Sequence, residues 1–191
     1  MVIESYYSPV ELEAFGFRQL GTNVKISRKA SIYGADTISV GSNVRIDDFC
    51  ILSGNLALGS YVHIAAYTAL YGSTEGIRVE DFSNISARVC IYAVSDDYSG
   101  ESMTNPLVPA RFKNVQHAPV LIKRHVIIGS GCTVLPGVTL EEGAAFGAMT
   151  LINHDAEPWS INAGIPFRRL RARSRRALEL ETELLRETEG R

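Results

Sequence analysis

A six-residue beat runs through this chain. Apolar residues fall at Val40, Ile46, Leu52, Leu58, Ile64 and Leu70, again at Val79, Ile85 and Ile91, and again at Ile122, Ile128, Val134, Leu140, Phe146 and Ile152. A weaker set precedes them at Leu20, Ile26, Ile32 and Ile38. Neither the 3.6-residue period of a helix nor the two-residue period of a plain strand gives a spacing of six. A short fixed period is the mark of a solenoid, and a hexapeptide period that of a parallel β-helix.

The residues between the beats agree with that reading. Four positions after a beat residue comes something small or β-branched: Val44, Cys50, Val62, Thr68, Ser83, Val89, Val126, Cys132, Val138, Ala144 and Thr150. Between these lie Gly, Asn and Asp, as in Gly41-Ser42-Asn43, Asp47-Asp48 and Gly129-Ser130-Gly131, residues suited to tight corners. Each six-residue unit is then one short strand and one corner, and three units close a triangular coil of about 18 residues. The beat residue points into the prism and the small residue fills the space beside it.

Composition excludes several classes. A hydrophobic fraction of 46% and a net charge of −2 describe a globular chain with no bulk attraction to nucleic acid. No apolar run reaches the roughly 18 residues that span a bilayer. The start, MVIESYYSPVELEAFGF, has no basic segment followed by an apolar one, so no signal peptide is expected and a cytoplasmic location follows. Cys50 and Cys132 take the small inward position and Cys90 falls one residue past it. They read as buried hydrophobes of a reducing compartment, and nothing in their spacing suggests a metal site.

Three stretches depart from the beat. Residues 1–19 read as an N-terminal cap whose short helix begins after Ser8, with Pro9 near its start and Gly16 near its end. The beat shifts by two between Ile38 and Val40, implying a small extra corner, and gains three residues between Leu70 and Val79. From Ser95 to Ala118 it stops, in SDDYSGESMTNPLVPARFKNVQHA, and then resumes in frame. A long loop without its own repeat is usually functional. Residues 170–191 read as a charged C-terminal helix, leaving 20–169 as the solenoid with its loop at 95–118.

The beat, the loop and the ending AGIPFRR together resemble the hexapeptide-repeat acyltransferases, nearest to the galactoside, maltose and xenobiotic acetyltransferase branch. The resemblance covers roughly residues 20–170. It implies an all-β, left-handed parallel β-helix, a homotrimer with active sites between subunits, and acetyl-CoA as acyl donor to a sugar or polysaccharide precursor. The left hand comes from the resemblance alone, since the usual crossover rule points the other way. The coenzyme side carried over is Gly129, Ser130, Gly147 and Ala148 at the corners, Gly164 and Pro166 in a Gly-x-Pro turn, and Arg168 as partner of the coenzyme phosphates.

In the same branch a histidine at the start of the long loop is the base, and counting along the beat puts Asp96 there. Either Asp96 replaces it, or another histidine acts, or the acceptor is an amine that needs less help. His63 should point outward, stacked one coil from Asn84 in the acceptor-facing column. It ranks first as base, with Asp96 or Asp97 orienting it or holding a sugar hydroxyl, and His117 second. His125 reads as a solvated corner residue. A saccharide O-acetyltransferase is the favoured reading, since a nucleotide-sugar enzyme commonly carries an extra nucleotide-binding domain. An amino-sugar N-acetyltransferase and a catalytically silent scaffold are the alternatives. A γ-class carbonic anhydrase would need three histidines on zinc, and the spacing of His117 and His125 does not supply them.

Overall fold

The computed structural model describes residues 5–189, so residues 1–4 of the expected cap and 190–191 of the expected helix lie outside it. Three parallel sheets run the length of a prism. The first face is built from strands such as Leu56–Leu58, Ile77–Val79 and Val120–Ile122. The second includes His63–Ile64, Asn84–Ile85, Ile127–Ile128 and Ala145–Phe146. The third includes Ala69–Tyr71, Cys90–Tyr92 and Thr133–Val134. Each strand pairs in register with the equivalent strands one coil above and below, as Ile85 pairs with Ile64 and Ile128. This is the left-handed parallel β-helix of hexapeptide repeats.

The beat residues form the core. Ile46, Leu52, Ile64, Leu70, Ile85, Ile91, Ile122 and Ile128 are fully buried in one continuous cluster, each side chain contributing roughly 1.5–3 kcal/mol relative to exposure. The inward small positions are buried as well. Their hydroxyls find backbone acceptors: Thr68 Oγ1 donates to the carbonyl of Ser86 at 2.9 Å, and Ser83 Oγ to that of Lys123 at 2.9 Å. No buried side-chain polar atom among the described residues lacks a partner.

Irregularities in the beat have local causes. The two extra residues before Val40 form a 3₁₀ turn at Ala35–Thr37, after which Ile38 and Val40 both point inward. The insertion after Leu70 closes on itself through Gly76 N–H to Gly72 O at 2.8 Å. At the open end, α1 (Pro9–Ala14) starts from a capping box in which Ser8 and Glu11 satisfy each other's backbone N–H groups, and Leu12 is buried against the first coil. Arg28 adds an ion pair to Glu11 at 2.6 Å; that hydrogen-bonded pairing, with Ser8, holds the Glu11 carboxyl down at about 2.

Two expectations are corrected. Residues 170–175 of the expected C-terminal helix are not helical: Phe167–Ala172 folds back antiparallel on Ser160–Gly164, and the helix, α2, begins only at Arg176 and ends at Glu189. The arginines crowded here would oppose a helix dipole at its N-terminus, whereas a strand carries no such penalty. The corners, moreover, are not reserved for Gly, Asn and Asp. Phe49, Tyr61, Tyr67, Phe82, Arg88, His125, Met149 and Trp159 all adopt positive φ. Along one corner the rings stack on the coils beneath: Tyr61 on Phe82 at 4.7 Å and Phe82 on His125 at 5.3 Å, with Trp159 tilted over His125 at 6.0 Å. Ring-on-ring contact between coils offsets the backbone cost of the left-handed region.

His125 is therefore buried, not solvated. Its Nε2 meets Glu181 of α2 at 2.6 Å, and Arg124 pairs with the same carboxylate. This fastens a helix whose Leu180, Leu184 and Leu185 are otherwise exposed.

The corner glycines Gly21, Gly41 and Gly59 stack so closely that a Cβ on Gly41 would lie 2.6 Å from the backbone of Gly59. Gly41→Ala should therefore lower the melting temperature by several degrees, an overpacking cost of about 1–3 kcal/mol, where an unchanged melting curve would show that the coils can part. Glu181 is pushed up by burial, but its hydrogen bonds to Arg124 and His125 outweigh this and leave its pKa below the ordinary value of 4.5. It thus stabilises the docked helix above that pH and loses the contribution as pH falls through its lowered value. Fluorescence of the single tryptophan, Trp159, which lies over His125, should report release of α2 on acidification. Glu181→Gln should show the released signal already at neutral pH.

Candidate active site

The predicted coenzyme residues come together on one corner. Gly129 and Ser130 follow the second-face residue Ile128, Gly147 and Ala148 follow Phe146, and Ala163 and Gly164 follow Asn162 in the coil above. Gly129 N–H donates to Phe146 O at 2.9 Å and Gly147 N–H to Asn162 O at 2.8 Å. A Cβ on Gly129 would lie 2.7 Å from Ala148 N, so no other residue fits there. Gly147 faces only the Ala163 methyl, at 3.3 Å from a built Cβ. The outcome is an edge of small residues, flanked by the exposed Met149, whose backbone can meet the amides of an extended ligand. At its end the chain turns back through the cis Ile165–Pro166 bond, and Arg168, paired across the hairpin with Ala163, is exposed without an ion pair among the described residues.

Ser86 occupies the same corner one coil below Gly129, directly after the beat residue Ile85. It is half-buried, and its N–H donates to Ile128 O at 2.9 Å. Sequence reading passed over it, although its register position is that of Gly129 and Gly147.

His63 points outward beside Asn84, as the register requires. Its surroundings differ from expectation: Nδ1 lies 2.9 Å from Asn84 Oδ1 and Nε2 lies 2.9 Å from Asp47 Oδ2. The orienting carboxylate is Asp47, not Asp96 or Asp97. Asp47 also receives Arg45 Nε at 2.6 Å. Burial works to raise its pKa, but the hydrogen bonds from His63 and Arg45 win and hold it below the carboxylate range. With both ring nitrogens engaged, His63 has none to offer an acceptor, which argues against a base and for a structural post.

Asp96 and His117 both lie at the neck of the loop. The strands Val94–Ser95 and Gln116–His117 pair antiparallel, with Val94 opposite His117, and Ala118 N–H returns to Ala93 O at 3.1 Å. His117 Nδ1 lies 2.7 Å from Ser73 Oγ, leaving Nε2 open. Asp96 is exposed on the rim of a cleft of about 940 Å³ floored by Tyr71, Tyr92, Leu135 and Pro136. Tyr71 and Tyr92 stack at 5.2 Å, and burial, then the neighbouring Cys90, pushes the Tyr92 phenol up to about 12. Asp97 does not face this cleft. It caps the loop's own turn, accepting from Ser99 N–H at 2.8 Å and Ser102 Oγ at 2.7 Å, which lowers its pKa. No cluster of His, Cys, Asp or Glu among the described residues could hold a metal ion.

A corner of small residues and a loop base presenting a carboxylate are found in a chain that is 46% identical over 181 residues to dTDP-4-amino-4,6-dideoxy-D-glucose acyltransferase of Escherichia coli, covering 93% of this chain and 94% of that one. The chain belongs to the hexapeptide-repeat sugar acyltransferases. No family model matches it. The N-acyltransferase AntD of Bacillus cereus, solved with dTDP and 3-hydroxybutyryl-CoA, is 49% identical and superposes with a TM-score of 0.96 over 98% of this chain and 100% of its own. The polysialic-acid-specific acetyltransferase NeuO, at 15% identity and a TM-score of 0.62 over 84% of this chain and 80% of its own, shares the fold alone. Among the described residues no helix is long and apolar enough to cross a membrane.

Membership sets a test of the corner. Gly147→Ala adds a methyl group to the edge while crowding only Ala163. Coenzyme A should then bind at least several-fold more weakly with little change in melting temperature. Unaltered affinity would place the ligand elsewhere.

Proposed function

We propose that this enzyme transfers an acyl group from acyl-coenzyme A to the amine of a nucleotide-linked amino sugar, within a cyclic trimer. The hydroxyl acceptor favoured by the sequence reading gives way to its amine alternative. One observation carries this. Variants of AntD have been solved in which either a serine or an aspartate ten positions further on is replaced. This chain contains one Ser-Asp pair at that spacing, Ser86 and Asp96. Identity of 46% over nearly the whole chain to a protein named for amino-sugar acylation, and of 49% to an N-acyltransferase solved with dTDP-4-amino-4,6-dideoxyglucose and coenzyme A, supports the same reading.

The chemistry fits a carboxylate. A hydroxyl is a poor nucleophile and needs a base such as histidine, whereas a neutral amine attacks unaided and sheds its proton afterwards. The amine nitrogen bonds to the thioester carbonyl carbon, Asp96 takes the proton from nitrogen, and the carbon–sulfur bond breaks. The proton ends on the departing coenzyme thiolate. Ser86, on the corner shared with Gly129, is placed to donate to the developing oxyanion. This account explains why the loop position carries aspartate in place of histidine.

Ser86 and Asp96 bracket the third-face strand Cys90–Tyr92, and the extended segment between them spans about 20 Å. One subunit's pair is too far apart to serve one sugar. Cyclic packing, in which one subunit's corner faces the next subunit's loop, brings them together, and predicts a sedimenting mass of about three times the 20.9 kDa chain.

Asp96→Asn should lower kcat by about 10²–10⁴-fold with acyl-coenzyme A affinity intact, while His63→Ala keeps turnover within a few-fold if it still folds. A fully active Asp96→Asn would remove the carboxylate from the mechanism. Thiol release that is faster with amine-free sugars than with amino sugars would restore the hydroxyl reading. Arg168→Ala should cost coenzyme A about 1–3 kcal/mol, the worth of a charged hydrogen bond, and cost a pantetheine analogue much less.

A further inference from the structure

The insertion after Leu70 forms a knuckle, Gly72–Gly76, that follows Tyr71 of the cleft floor and meets both limbs of the loop's neck. On the outgoing limb, Ala93 N–H donates to Tyr71 O at 2.9 Å. On the returning limb, Val120 N–H donates to Gly76 O at 3.1 Å. A third mooring joins side chains, Ser73 Oγ to His117 Nδ1 at 2.7 Å. Ser73 stands on firm ground. Its carbonyl accepts from Asn55 N–H at 2.9 Å, and a Cβ on the neighbouring Gly54 would fall 2.5 Å from Ser73 N. Its φ is 48°, where glycine costs least, and the knuckle closes without its hydroxyl through Gly76 N–H to Gly72 O. A serine kept on strained backbone points to a use for the hydroxyl. Asp96 is the first residue beyond the ribbon that pairs Val94 with His117 and Ser95 with Gln116. Among the described residues its carboxylate has no hydrogen bond or ion pair, so the ribbon behind it sets its place.

Resting on the reading in which Asp96 takes the amine proton, we infer that Ser73 and His117 are positioning residues for Asp96. Their contact holds the returning limb to the knuckle and, through the ribbon, holds the outgoing limb that ends in Asp96. His117 then works through Nδ1, the nitrogen turned to the coil, and not as a base through its open Nε2. A hydroxyl can donate to a neutral imidazole or accept from a charged one, so the contact survives in either state. One exposed hydrogen bond adds little to stability, yet a misplacement of about 1 Å can cost a reaction about 10²-fold. The device therefore shows itself in turnover and not in melting.

The test is steady-state thiol release by the intact assembly from acetyl-coenzyme A, with dTDP-4-amino-4,6-dideoxyglucose as acceptor. Ser73→Ala and His117→Ala should each lower kcat about tenfold, with KM for acetyl-coenzyme A, melting temperature and sedimentation unchanged. The two changes together should cost no more than either alone, because they remove one contact. His117→Asn places an amide oxygen where Nδ1 stood and should recover most of the turnover that His117→Ala loses. If His117→Asn is as slow as His117→Ala, the histidine acts through Nε2 and the positioning role is overturned. In an Asp96→Asn background Ser73→Ala should cost nothing further; a full additional loss there means that Ser73 does not act through Asp96, and also overturns it. Normal turnover of Ser73→Ala and His117→Ala beside a slow Asp96→Asn sinks the positioning role and leaves the proposed reaction standing. A fully active Asp96→Asn sinks the reading on which the role rests, and the role with it.

Discussion

Each coil of the prism hydrogen-bonds only to the coils above and below, at the spacing of about 4.8 Å that separates neighbouring strands. That distance governs what can stand at a corner. Where backbones are brought together, as at Gly21, Gly41 and Gly59 or at Gly129 and Ala148, a side chain has no room. Where the corner opens outward, a flat ring at the same spacing lies on the ring of the next coil, and the ladder Tyr61–Phe82–His125 results. Bare edges and ringed edges are two outcomes of one repeat distance.

The division matters for the proposed chemistry. Along a single corner, the upper coils present Gly129, Ser130, Gly147 and Ala148 beside Met149, and the lower ones present Phe49, Tyr67 and Arg88, with Ser86 at the boundary. A thin, amide-rich donor suits the first half.

Much of the fold was legible because inward residues obey a local rule. The beat named the core, and the shift before Val40 marked the extra corner that the 3₁₀ turn makes. That Gly129 and Gly147 stack on one corner could be read too, since they are spaced by one coil. What escaped was set by contacts between coils and between distant segments. Nothing near His125 in sequence reveals that Glu181, 56 residues on, will cover it, nor that Asp47 will claim His63 from the coil below. Asp96 was visible as a departure from histidine, but Ser86 looked like any corner residue. The strand Phe167–Ala172 escaped because its arginines give no period, and only pairing with Ser160–Gly164 makes it a strand.

The ribbon of Val94–Ser95 and Gln116–His117, together with the Ala118-to-Ala93 hydrogen bond, closes the long loop at its neck. Val120–Ile122 then rejoins Ile77–Val79 in register, so to the prism the loop is a sealed side chapel with a single door. Its length and contents carry no weight for the coils on either side. Such a segment can be lengthened, shortened or exchanged between relatives while the stack stays whole, which gives this architecture an inexpensive route to new acceptors: change the annex and leave the tower standing.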